Sequence, residues 1–169
     1  MAFLGDLRVL CGEDSNSPCS NLILIALRAF HVLFLALHDW VPLARLNDIA
    51  AVRREISVRN LFIATLIQTS FFAVGLVFSI RYFGRPDPGW LNYWLWITYA
   101  LLFAGEIEAW WIPYLVRPNP ERAARYQRIF GNTHSFLPIR NGIVPNTAHI
   151  LLHLSTATTL TVLFLKHLT

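Results

Sequence analysis

A chain of 169 residues is long enough for one domain, and 55% of it is hydrophobic against only 14% charged. Soluble domains carry about 25% charged residues, so the deficit points to lipid rather than water as the solvent. The net charge of +4 comes from basic residues between apolar runs. They form no stripe interleaved with aromatics, which argues against nucleic acid and fits positive loops beside a membrane.

Four apolar segments approach the roughly 20 residues that a membrane-spanning helix needs. The predicted spans are 21–39, 60–81, 90–116 and 143–165. Backbone groups in lipid must bond internally, so each is read as a helix. The expected fold is therefore all-α: an integral membrane four-helix bundle forming a single membrane domain.

The first span follows an acidic stretch with Glu13 and Asp14 and carries Arg28 and His31. No small-residue cleavage site follows it, so it reads as a retained helix and not a signal peptide. Cys11 and Cys19 are the only cysteines. On an oxidising outer face they could close a small disulfide loop, with two independent thiols as an equal alternative.

The second span has no charged residue from Leu61 to Ile80, and the fourth has no Asp, Glu, Lys or Arg. The third has tryptophans near both ends, Trp90, Trp94 and Trp96 against Trp110 and Trp111, as an aromatic belt requires. Loops 40–59 and 117–142 hold nine of the fourteen basic residues, among them Arg53, Arg54, Arg122, Arg125 and Arg128. The positive-inside rule puts those loops in the cytoplasm and both termini on the opposite side. A multi-pass protein of the cell membrane is the expected localisation. The stretches 43–60 and 120–130 read as basic amphipathic helices at the membrane surface, suited to anionic headgroups or serving only to fix topology.

Ionisable residues at membrane depth are costly and tend to face the bundle interior. Helical spacing aligns Arg28, His31, Leu35 and His38 on the first helix, with Asp39 beside them. It aligns Thr65, Gln68, Phe72 and Ser79 on the second, and Asn146, His149, His153 and Thr156 on the fourth. On the third helix Glu106 and Glu108 stand about 200° apart, so one lines the interior and the other meets a contact or the interface. His38, Asp39, Glu106, His149 and His153 all fall towards the cytoplasmic ends of their helices. They form the expected core of a polar site, with Arg28, His31, Gln68, Glu108, Trp110 and Asn146 lining it and Arg140 as an anion clamp.

Two chemistries suit that set. His149 and His153 at i and i+4, with Glu106 from a neighbour, are the ingredients of a helix-bundle metal site, fitting zinc, iron or manganese. Neither an HExxH nor an ExxH motif is present. Without a metal, the same groups can act as acid and base. The His31-to-Asp39 stretch, set in a four-helix body with a buried glutamate, resembles within that one helix the EXPERA membrane domain of sterol isomerases. The second span has no carboxylate, and no functional residue is carried over.

The expected function is to bind, or act on, a lipid or small apolar molecule at the cytoplasmic end of the bundle. The partners are then membrane lipids, the apolar substrate and further copies in a homo-oligomer, with no nucleic acid. The alternatives are a non-enzymatic transport or proton-coupled subunit, favoured by the depth of Arg28 and His31, and an accessory subunit whose histidines only stabilise helix contacts.

Overall fold

The computed structural model describes residues 18–168. Cys11, and with it the expected pairing to Cys19, lies outside the described residues, as do Glu13 and Asp14. The helices are α1 (Pro18–Leu37), α2 (Ile49–Glu55), α3 (Val58–Arg81), α4 (Gly89–Glu106), α5 (Ile112–Leu115), α6 (Pro120–Phe130) and α7 (Thr147–His167). A five-residue π turn, Ile107–Trp111, joins α4 to α5. No strand occurs among the described residues; an isolated β-bridge pairs Arg140 with Ile143.

Polar residues set where the helices begin. Asp48 accepts from Ala51 N, Ser57 from Asn60 N, Asn119 from Arg122 N and Asn146 from His149 N. Each side chain thereby satisfies an amide that the first turn leaves without a partner. Asn146 therefore caps α7 and is not part of its face. The stretch 143–146 is not helical as expected, because Asn141 (φ 53°) and Gly142 (φ 74°) turn the chain back. Consecutive left-handed residues of this kind make a tight hairpin, and Pro145 then cannot donate to a helical ladder.

Three helices, Cys19–Leu37, Val58–Arg81 and Thr147–His167, are long and apolar enough to cross a membrane. The third expected span is also helical, but Asn92, Glu106 and its many tryptophans and tyrosines make it less apolar. α1 packs on α3 and α7, and α4 packs on the same two. Leu24, Leu35, Phe72, Leu91, Leu95, Tyr99, Val162 and Leu163 fill the space between them. The outside is apolar too: Leu101 is 68% exposed and Val77 61%, whereas Arg28 is 2% and Glu106 5% exposed. Burying polar groups and exposing leucines is the arrangement expected where the solvent is hydrocarbon.

The two long loops lie at one end and pack together. α2 rests on α6, where Val52, Leu61 and Ile129 form a small apolar cluster. Arg128 donates to both Glu55 oxygens, at 2.7 and 3.0 Å, and this pairing holds the Glu55 carboxyl below its usual range. At the other end, Lys166 Nζ donates to Asn21 Oδ1 and Asp87 Oδ2, joining α7 to the start of α1 and to the turn before α4.

Candidate functional site

α1, α4 and α7 bring a carboxyl, two hydroxyls and an imidazole together in the interior. His31 Nδ1 lies 2.7 Å from the Leu27 carbonyl. A carbonyl only accepts, so Nδ1 carries the proton and the neutral ring presents a lone pair at Nε2. That nitrogen is 3.1 Å from Thr156 Oγ1 and 3.2 Å from Ser155 Oγ. Thr156 in turn donates to Glu106 Oε1 at 2.9 Å, with the Leu152 carbonyl also within reach at 3.0 Å. One Thr156 hydroxyl proton thus faces three acceptors. The buried Glu106 Oε2 and Tyr99 hydroxyl have no hydrogen-bond partner. Tyr99 packs edge-on against His31, with ring centres 5.0 Å apart.

A second cluster lies nearer the loops. The rings of His38 and His149 are 6.1 Å apart, and those of His149 and His153 6.3 Å apart. Trp110 and Phe130 pack against His149 at 4.6 and 5.0 Å. His149 Nδ1 is 2.6 Å from Asn146 Oδ1, and Trp111 Nε1 donates to His153 Nδ1 at 3.2 Å. His38 Nδ1 donates to the Phe34 carbonyl, which turns Nε2 toward Asp39 Oδ2 at 3.2 Å. A lone pair cannot face a carboxylate at that distance without a proton between them, so the pair shares one. Asp39, in the turn beyond α1, is pushed above the usual carboxyl range by burial, and the neighbouring His38 opposes the shift.

The expected five-residue core is therefore divided. His38, Asp39, His149 and His153 share the cluster near the loops, whereas Glu106 points away to Thr156 and His31. α7 reaches further than its histidines: beyond His149 and His153, Thr156 bonds to Glu106 and Ser155 to His31. Thr156 was legible as the next member of the Asn146–His149–His153 stripe. Tyr99 was legible as lying two turns before Glu106 on the same face. Ser155 gave no periodic signal.

The remaining expected residues scatter. Arg28 donates to Ser79 Oγ in the opposite half, with its Nε and Nη2 buried and unpartnered. Gln68 is exposed, contrary to its place on the interior face of the predicted helix. Arg140 is exposed and pairs with Ile143 only through the backbone, so nothing aims its guanidinium at either cluster. Glu108 is at the surface, its side chain 73% exposed, 3.5 Å from Arg122; Glu106 is the glutamate that lines the interior.

The π turn has a cause in the sequence. Pro113 has no N–H to offer the Ala109 carbonyl, and Ile112 N bonds instead to Ile107 O, which frees the Glu108 carbonyl. Arg122 Nη1 donates to Glu108 O and Ala109 O at 2.7 and 3.2 Å, and Tyr126 Oη to Ala109 O at 3.1 Å. The wider turn keeps Glu106, Trp110 and Tyr114, four residues apart, all buried. Single π turns of this kind are frequent at functional sites.

No group of three or more His, Cys, Asp or Glu able to hold a metal ion occurs among the described residues. No protein-family model matches the chain, and no curated protein or solved structure matches it significantly. The short likeness to the EXPERA domain accordingly carries no further argument.

Proposed function

We propose that the chain is a multi-pass membrane protein, a four-helix bundle of α1, α3, the α4–α5 unit and α7. Its buried Glu106–Thr156–His31 set is an acid–base site that binds or acts on a lipid or small apolar molecule. The observation that carries this reading is the proton deficit at Thr156. Two hydroxyl protons, from Thr156 and Ser155, serve Glu106 Oε1, His31 Nε2 and the Leu152 carbonyl, and Glu106 Oε2 has no donor at all. A further proton shared between Glu106 and His31 gives the set a full complement of donors, and such a proton can be passed to or taken from a ligand. Glu106 Oε2 and the Tyr99 hydroxyl add an acceptor and a donor that the protein leaves unused.

A transmembrane proton path is disfavoured by Arg28. Its guanidinium stays charged and stands between His31 and the far end of α1, and a fixed positive charge opposes the entry of protons from that side. The loop-end cluster, with Trp110 and the three histidines, is better read as the frame that fixes the cytoplasmic end of α7.

Native mass spectrometry of protein extracted from its own membranes in mild detergent tests the reading. A specific apolar molecule retained by the wild type and lost from Glu106→Gln, with the variant's helicity unchanged, is the expected result. Equal lipid content in both proteins would overturn it.

A further inference from the structure

A groove of about 440 Å³ runs along the lipid-facing junction of α1 and α7, lined by Ile23, Ala26, Leu27, Phe30, Leu151 and Ser155. Its walls belong to two helices apolar enough to span a membrane, so hydrocarbon is its natural content. Five of the six residues are apolar and none is charged, which selects a neutral occupant, because a charge there would go uncompensated. Ser155 is the only polar side chain in the lining. Its hydroxyl proton has two acceptors, the Leu152 carbonyl at 2.8 Å and His31 Nε2 at 3.2 Å. The oxygen's lone pairs are left to accept from a ligand, and among neutral donors an alcohol brings a single O–H without the second polar group of an amide or acid, which this apolar groove would leave unpaired.

We infer that this groove is the lateral entrance to the acid–base site and takes a neutral long-chain alcohol, whose hydroxyl donates to Ser155 and so joins the chain Ser155–His31–Thr156–Glu106. The inference rests on the proposed function and adds to it an entrance, a ligand class and a residue that contacts the ligand. Entry from the side also explains how a site closed toward the Arg28 end is reached from the membrane.

Photolabelling in lipid nanodiscs tests it, with a diazirine-bearing hexadecanol and the matching diazirine-bearing hexadecane as probes and peptide mapping as the readout. The alcohol should label the segments 23–30 and 151–155 at least about threefold more than the alkane, the preference one hydrogen bond confers. Ser155→Ala should bring alcohol labelling down to the alkane's level, and Ala26→Trp, filling the groove, should remove labelling by both. Equal labelling by the two probes, or alcohol labelling that Ser155→Ala leaves unchanged, would overturn the inference. Loss of a native ligand in Glu106→Gln but not in Ala26→Trp would leave the acid–base site standing and reject only this entrance. Retention of that ligand in Glu106→Gln would reject the site itself.

Discussion

Thr156 and Glu106, fifty residues apart in the chain, meet at 2.9 Å between α7 and α4, and this hydrogen bond links those two helices in the buried interior. Interhelical hydrogen bonds in membrane proteins average about 0.6 kcal/mol and reach about 1.7. Here the high end is expected, because losing the hydroxyl leaves Glu106 without its one partner. A double-mutant cycle isolates the pair. Thr156→Val alone should cost about 1–2 kcal/mol, and less in a Glu106→Leu background, where the hydroxyl keeps only His31 Nε2 and the Leu152 carbonyl. Denaturant titration in mixed micelles measures the coupling, and a value near zero would show that the contact holds nothing together.

Arg122 serves the backbone. By donating to the Glu108 and Ala109 carbonyls it replaces the partners removed by Pro113 and the π turn. Arg122→Ala should lower stability by about 1 kcal/mol and speed hydrogen exchange at the amides of 107–112. Arg122→Lys should fail to restore it, since one ammonium on a flexible stem does not hold two adjacent carbonyls as the planar fork does. Arg125→Ala, at an exposed position of the same helix, is the control and should change neither readout.

The fold was legible where a single strong signal acts over many residues. Apolar runs of membrane length located α1, α3 and α7, and the alignment of Arg28, His31 and Leu35 on one buried face of α1 follows from the helical period alone. The third run is apolar through to residue 116 although Pro113 lies inside it. Periodicity does not register one missing N–H, and the π turn with its Arg122 support stayed hidden for that reason. Hydropathy starts the fourth span at residue 143, four residues before the helix, because Ile143 and Val144 are as apolar as the helix that follows. Only Asn141-Gly142 and the Asn146 cap separate them from it. The site was half legible: sequence gives the face of each helix but not the relative slide of two helices. That slide decides that Glu106 reaches Thr156 and not His149 or His153.

Gly75 permits the contact of α3 with α4. A Cβ there would stand 2.9 Å from Leu95 Cδ2, a buried core atom, while Trp94 Nε1 donates to the Phe71 carbonyl one turn away. Leu95 can shift the end of its side chain, and alanine gains helix propensity of up to about 1 kcal/mol over glycine. Gly75→Ala should therefore be close to neutral. Gly75→Leu cannot be absorbed in that way and should cost more than about 2 kcal/mol by forcing the helices apart. The same micelle titration distinguishes the two, and a tolerated leucine would show that the helices do not depend on this close approach.

Asp39 predicts a pH dependence of known sign. Burial raises its folded-state pKa above the ordinary 3.8, with the adjacent His38 working against the shift. At about pH 2 the carboxyl is protonated whether the chain is folded or unfolded, and it contributes no pH dependence. As pH rises through the window between the unfolded and folded values, the unfolded chain gives up this proton first. The folded state then binds more protons than the unfolded one, and stability must fall with pH. Above the folded value the full cost remains. Asp39→Asn has no such proton to lose, so its thermal midpoint in detergent should gain on the wild type as pH is raised from about 4 to neutrality. His38→Ala removes the opposing influence and should steepen the wild-type decline over the same window. Parallel melting curves for wild type and Asp39→Asn across that range would show that the carboxyl is solvated in the folded protein and that the His38–Asp39 contact is only a surface pair.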